Sequence, residues 1–403
     1  MSHYLFVLGR TPELAYGELC SFFPKVTYIS THLSIVEVSD QSLLLSAFQK
    51  LGGSIKVARI IDRTNELSPQ LLTSYLTDET SQKITFGISG YDGAFSPSTP
   101  FLHDMKKMLE DKGMSCRFVS PKKGDTLSSV VITGQHVVEL IVGKENGRYM
   151  IGKTISVQDF GDWNKRDYGR PQVDPKAGML PPKVARMIVN IANSSPGRSS
   201  SATFRGASFD SWKVKRVLLD PFCGMGTILA EALLTGWNVV GADQSADATS
   251  RTKKNLEWLA RQYSEVDGSN IQLFISDATH ISSHIPKASI DAIVTEPFMG
   301  SARKIGNNPI NQLSNKQIIE IKNTIKGLEK LYIGCLRDWY RLLKHNGKVV
   351  IALPSYNVQG REFFVKKVID MCENLGYTVE QGPIEYSRPQ AVVRRKFYIL
   401  RKK

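Results

Sequence analysis

Apolar and polar positions change their period several times along the chain, and each change marks an element. Tyr4 to Leu8 is an unbroken apolar run and reads as a buried strand. Pro12 suits the first turn of a helix reaching about Phe23, because its missing N–H is not needed there. Ser34 to Val38 alternates apolar and polar side chains, as a strand does. A helix is expected over Gln41 to Leu51 and a further strand over Lys56 to Asp62, which makes a small α+β module. A second α+β unit opens with a strand at Ile84 to Ser89. Pro100 to Lys112 then carries helical spacing (Leu102, Met105, Met108, Leu109), with Gly113 placed as a C-cap. Strands at Cys116 to Val119, Ser129 to Thr133 and Val137 to Val142 complete that unit.

Between Gly161 and Arg198 the texture is that of a connector, with seven bases against three acids and the aromatics Trp163 and Tyr168. Pro181 and Pro182 can open a helix in which Val184, Met187, Ile188 and Ile191 share one face. Asn193 to Ser208, rich in Ser, Gly and Pro, predicts a mobile loop. Beyond it, short β-branched runs (Val214 to Asp220, Asn238 to Asp243, Ile271 to Asp277, Asp291 to Pro297, Lys348 to Leu353) alternate with helical segments. Such alternation predicts a parallel sheet covered on both faces, with Phe397 to Leu400 as an antiparallel edge strand.

Length and charge narrow the function classes. A chain of 403 residues suits two or three domains, and 41% hydrophobic with 22% charged residues excludes a disordered or collagen-like polymer. No apolar run approaches the roughly 20 residues of a membrane-spanning helix. The first apolar stretch is broken by Arg10 and Glu13, so a cytoplasmic location is expected. Cys20, Cys116, Cys223, Cys335 and Cys372 are scattered, with no CxxC pair and no histidine at metal spacing; neither disulfides nor structural zinc are expected. The net charge of +14 favours a polyanionic partner, nucleic acid first, although a solvated basic surface would give the same count.

The densest chemistry is Asp220-Pro221-Phe222-Cys223-Gly224-Met225-Gly226-Thr227, directly after a strand and opening a helix. Gly224 and Gly226 allow a sharp turn and close approach of backbone to a ligand. No Lys follows Gly226, which excludes a P-loop, and Leu229 occupies the third-glycine position of the dinucleotide fingerprint. An acid-first DxxxGxG turn remains, suited to a cationic ligand. Asp243, followed by Gln244, closes the next strand where an acid can bind ribose hydroxyls. Asp277, followed by Ala278, closes the third and can accept from an adenine amine. S-adenosylmethionine is the cofactor that matches; helix capping is the competing reading of Asp243 and Asp277. Cys223 reads as packing, since no histidine is placed to activate it.

DPFCGMGTILAEAL resembles the first motif of Rossmann-fold RNA methyltransferases, and DPKAGMLPPKVARMIVNIA resembles the linker of the THUMP-domain tRNA guanine-N2 methyltransferases. The C-terminal SRPQAVVRRKFYIL is similar to that family's closing segment. The resemblance implies a Rossmann-like α/β methyltransferase domain (209–403) preceded by a ferredoxin-like α+β domain (1–79), a THUMP-like RNA-binding domain (80–160) and a linker (161–208). It also implies methyl transfer to N2 of a guanosine in tRNA, at position ten, and a possible small activating subunit. The family's fourth motif, Asp-Pro-Pro-Tyr, is altered here to Thr295-Glu296-Pro297-Phe298. In the favoured register Glu296 and the Pro297 carbonyl accept the amine hydrogens and Phe298 stacks on the flipped base. Shifting by one places Thr295 at the acid's position. A plain strand-ending turn would also account for the segment. Lys122, Lys123, Lys165, Arg166, Arg170, Lys183 and Arg186 are the expected RNA contacts, each also explicable as solvated charge. Arg394, Arg395 and Lys396 lie near the expected sheet edge, where bases can contact RNA or serve only to discourage strand pairing. A DNA amino-methyltransferase and a non-catalytic RNA-binding protein are the competing functions.

Overall fold

The structure, a computed structural model, describes residues 2–77, 83–174, 179–193, 216–300, 315–358, 361–387 and 393–403. The chain divides into two compact units, Met1–Asn164 and Lys165–Lys403. The expected loop at Asn193 to Ser208 lies outside the described residues beyond Asn193.

The first unit runs β1 (Ser2–Leu8), α1 (Pro12–Phe22), β2 (Val26–Ser30), β3 (Leu33–Val38), α2 (Gln41–Phe48), β4 (Ser54–Thr64) and α3 (Pro69–Ser74). It continues with β5 (Lys83–Gly90), α4 (Thr99–Asp111), β6 (Ser115–Phe118), α5 (Ser129–Gln135), β7 (Val138–Glu145) and β8 (Arg148–Val157), and α6 (Phe160–Tyr168) lies across the division between the units. One eight-stranded sheet, ordered β2-β3-β1-β4-β8-β7-β5-β6, passes through all of it. The β4–β8 pairing joins into one sheet the two segments that the sequence separates at residue 79. Across that join Lys56 on β4 donates to Glu139 on β7 at 2.5 Å and to the Leu127 carbonyl at 2.7 Å, with Lys56 and Glu139 fully buried. Ser89 and Thr154 add hydroxyls to the same carboxylate.

Two local readings of this unit are corrected. Ser129 to Thr133, expected as a strand, is the helix α5, because the Ser128 hydroxyl caps it by accepting from the Val131 N–H at 3.3 Å. The strand β8 was not expected. Its hairpin turn is Asn146-Gly147, both at positive φ (50° and 82°), a combination that favours a two-residue turn.

The second unit runs α7 (Pro182–Ala192), β9 (Val217–Asp220), α8 (Thr227–Leu233), β10 (Asn238–Asp243), α9 (Ala246–Gln262), β11 (Ile271–Ile275) and β12 (Ile290–Thr295). It ends with α10 (Asn315–Leu342), β13 (Leu343–Val358), β14 (Arg361–Phe364), α11 (Lys366–Asp370), β15 (Tyr377–Tyr386) and β16 (Val393–Lys402). Its sheet is ordered β11-β10-β9-β12-β13-β16-β15, with β9 to β13 parallel and β16 antiparallel to both neighbours. The expected antiparallel strand is therefore present but internal. Arg394, Arg395 and Lys396 do not guard an edge; Lys396 is buried and bonds Glu362 at 2.5 Å.

Helix α10 covers one face through a stripe at Ile321, Ile325, Leu328, Tyr332, Cys335, Leu336, Trp339 and Leu342, all buried at spacings of three and four. Trp339, fully buried, donates its indole N–H to the Ala278 carbonyl at 2.9 Å, which ties the helix to the segment that follows β11. No helix among the described residues is long and apolar enough to cross a membrane.

Candidate active site

Strand β9 lies between β10 and β12, so the strand order reverses there. The C-terminal tips at such a reversal are where open α/β sheets take ligands. Three tips carry the residues singled out by their chemistry: Asp220 on β9, Asp243 on β10 and Thr295 on β12, with Glu296 next in the chain. Asp220 is 1% exposed. Its Oδ1 accepts from the Thr295 hydroxyl at 2.7 Å and from the Phe222 N–H at 3.1 Å. Burial, with the Asp243 and Glu296 charges nearby, pushes its carboxyl up to about 7, against the two hydrogen bonds.

The turn that follows is built by its glycines and held from behind. Gly224 has φ +51°, and a Cβ there would find nothing nearer than the Phe222 carbonyl oxygen at 3.9 Å, so the backbone borders open space. Gly226 has φ +79°, and a Cβ there would press on Thr252 Cγ2 at 2.9 Å. Thr252 donates to the Gly224 carbonyl at 2.6 Å, and Asn255 donates to the Met225 carbonyl at 2.9 Å. Asp243 accepts from the Gly224 N–H at 3.1 Å and from the Ser245 N–H at 2.9 Å. Asp243 thus ties two turns together, while Ser245 is the N-cap of α9. Asp277 is exposed and accepts from the Thr279 N–H and hydroxyl, both at 2.7 Å, which lowers its carboxyl; Gln244 is exposed and Ala278 buried. Cys223 is buried, and burial pushes its thiol up, so it stays protonated.

For the expected S-adenosylmethionine this set of donors and acceptors fits. A cation offsets the mutual repulsion of Asp220, Asp243 and Glu296, and the open Gly224 backbone leaves room that a side chain would fill.

The segment after β12 is anchored from two helical and strand positions. The Tyr332 hydroxyl donates to the Phe298 carbonyl at 2.6 Å, and the Tyr356 hydroxyl donates to the Met299 carbonyl. Pro297 is buried, whereas the Phe298 ring is 58% exposed. The Glu296 carboxylate forms an ion pair with Arg395 of β16, whose guanidinium lies 5.8 Å from the Tyr386 ring centroid. Arg395, Tyr332, Tyr356, Thr252 and Asn255 were not among the residues expected from sequence.

The expected RNA contacts separate into two groups. Lys122, Lys123 and Lys165 are exposed, Lys165 lying over the Tyr263 ring at 5.3 Å, and Lys183 is half-buried. Arg166, Arg170 and Arg186 are buried, and the phosphate role expected of them is corrected: the second unit's own core takes their charge. Arg166 and Arg186 converge on the buried Glu231 of α8 at 2.5 and 2.8 Å, and Arg170 donates to the Thr227 hydroxyl at 2.6 Å. Together with Gln172, which donates its N–H to Asn255 at 2.9 Å, they fasten the 165–172 segment to the rear of the glycine turn. Trp163 is buried, and Tyr168 is 79% exposed.

The model of the RMKL-like methyltransferase domain family (UPF0020) matches residues 208–303. A tRNA (guanine(10)-N2)-dimethyltransferase of Pyrococcus abyssi is 27% identical over 237 residues, 59% of this chain and 52% of that protein. One of the same description from Methanocaldococcus jannaschii is 28% identical over 356 residues, 81% of this chain and 94% of that protein. The chain thus spans about half the length of the Pyrococcus relative. The crystal structure of TrmN from Thermus thermophilus aligns over all of both chains with a TM-score of 0.55 at 15% identity, which shows a shared fold. Residues 208–303 thus match the RMKL-like methyltransferase domain, and the chain as a whole is similar to tRNA (guanine(10)-N2)-dimethyltransferases.

Proposed function

We propose that the chain transfers a methyl group from S-adenosylmethionine to the exocyclic N2 amine of a guanosine in tRNA, at position ten. The observation that carries this reading is the meeting of Asp220, Asp243, the open Gly224 turn and the Glu296–Phe298 segment at one reversal of strand order. The relatives' descriptions supply the guanosine, its position and the tRNA.

When bound, the cofactor supplies a methyl group made electrophilic by a sulfonium. Asp220, Asp243, Gly224 and neighbouring residues of the turn, with Asp277 nearby, would hold it. Glu296 and the Pro297 carbonyl accept the N–H hydrogens of the guanine amine. That amine is a weak nucleophile because its lone pair is delocalised into the ring. Two acceptors raise electron density on nitrogen and fix its direction, and positioning of this kind is worth several kcal/mol. Phe298, with its ring exposed, provides the face on which an extruded base stacks. Lys122, Lys123, Lys165 and Lys183 are the bases proposed for phosphate contact, and a cytoplasmic site of action goes with a tRNA substrate. For the small activating subunit, β11 is the sheet's outer strand, with Ile275 59% exposed.

The test is incubation with labelled S-adenosylmethionine and either an unmodified tRNA transcript or duplex DNA, followed by digestion to nucleosides. Label in N2-methylguanosine at position ten is expected. Label in N6-methyladenine or N4-methylcytosine, or none while cofactor binding is retained, overturns the proposal.

A further inference from the structure

The acid at the catalytic segment is a glutamate held by a cation from a strand 99 positions away in sequence. Resting on the assignment of Glu296 as amine acceptor, we propose that Arg395 is a positioning residue that directs the Glu296 carboxylate toward the amine. The geometry carries this. Arg395 is on the internal strand β16, where its backbone is paired with Pro354 of β13 and Tyr386 of β15, so its starting point is fixed on both sides. Its side chain is 12% exposed and lies against the Tyr386 ring, which restricts the guanidinium further. The pairing uses Nε and the Glu296 Oε1.

A lone carboxylate at this place would be disfavoured. Asp220 from β9 lies close enough to interact with it as a like charge, and Tyr332 of α10, with Tyr356 of β13 behind it, lies close enough to feel the Glu296 charge. Glutamate also carries one more methylene than the aspartate of the related motif, and hence one more torsion to restrain. Arg395 supplies both the charge and the restraint, from a segment that reads in sequence only as a run of surface bases.

The experiment measures single-turnover methyl transfer to a tRNA transcript for wild type, Arg395→Gln, Arg395→Lys, Glu296→Gln and the Glu296→Gln/Arg395→Gln double variant. Cofactor affinity and tRNA affinity are measured alongside, and circular dichroism checks the fold. Arg395→Gln is expected to lose roughly 100-fold in rate and to keep both affinities. Arg395→Lys restores part of the rate, and in the Glu296→Gln background the second substitution adds no further loss. The inference is overturned if Glu296→Gln is impaired while Arg395→Gln keeps the wild-type rate. It is equally overturned if the loss falls on tRNA affinity alone, which would make Arg395 a phosphate contact. A Glu296→Gln variant as fast as wild type removes the amine-acceptor assignment itself, a separate failure. Should Arg395→Gln not fold, Arg395→Lys, which keeps the charge but loses the planar fork, still reads the positioning role: a rate equal to wild type overturns it.

Discussion

Replacing Asp220 by Asn separates what this carboxylate does for binding from what it costs the fold. Both of its hydrogen bonds fall on Oδ1, and no described residue donates to Oδ2, so the amide can keep Oδ1 in place and put its NH2 at the Oδ2 position. What changes is the charge. The carboxyl rises from its ordinary 3.8 to about 7, with burial the largest cause. At about 1.4 kcal/mol per tenfold change in proton affinity, ionising it in the folded chain costs at most about 4 kcal/mol. The sign follows from proton binding: between pH 4 and 7 the folded state holds a proton that the unfolded state has released, so this group's contribution to stability falls as pH rises. Above about pH 7 the whole penalty is present.

The unliganded Asn variant should therefore match wild type near pH 4 and exceed it increasingly up to pH 8, by a few kcal/mol. Urea unfolding followed through Trp237, Trp258 and Trp339, all in the second unit, gives the difference at each pH. Saturating S-adenosylmethionine should reverse the order at pH 8, because the bound cation stabilises wild type and the variant binds it poorly. A difference that is flat with pH, or an Asn variant weaker than wild type at pH 8, refutes the view that desolvation governs this acid. Asp220→Ala should likewise lose cofactor binding in equilibrium dialysis.

Further outcomes follow from other contacts. Gly226→Ala demands φ +79° of an alanine and pushes a methyl onto Thr252; titration calorimetry should show cofactor binding lost or weakened by an order of magnitude or more, in a chain that still folds. Glu231→Gln leaves Arg166 and Arg186 without their shared buried anion, and a loss of roughly 3–5 kcal/mol in urea unfolding is expected. Glu139→Gln strands the Lys56 ammonium in the first unit and should cost a similar amount, with Lys56→Met/Glu139→Leu recovering most of it. Glu296→Ala should leave cofactor affinity intact and reduce turnover by orders of magnitude, whereas wild-type turnover would move the acid's role to the alternative register.

What the sequence shows about this site depends on how far apart its partners lie. The glycine turn was legible because strand, acid, two glycines and helix fall within a dozen residues, and each has a local reason for its place. The strands β9 to β13 were legible for the same reason, although the internal position of β16 was not: edge and interior strands can share one apolar pattern, and pairing partners decide between them. The basic linker misled because a guanidinium's destination is not local. Arg166 and Arg186 look like phosphate ligands until Glu231, 65 and 45 positions on, is known to lie under them. The signal nevertheless existed on the other side. Glu231 stands in the helix Thr-Ile-Leu-Ala-Glu-Ala-Leu, where its neighbours at three and four positions, Thr227, Ile228, Leu234 and Thr235, are not charged partners and all but Leu234 are buried. A carboxylate placed among apolar side chains is too costly to stay ionised without a cation, so the helix itself demanded a buried base. The nearby linker was the densest source of bases in the chain's middle. Reading the buried acid first, and only then asking which bases remain for RNA, would have withdrawn Arg166 and Arg186 from the interface before any coordinates were known.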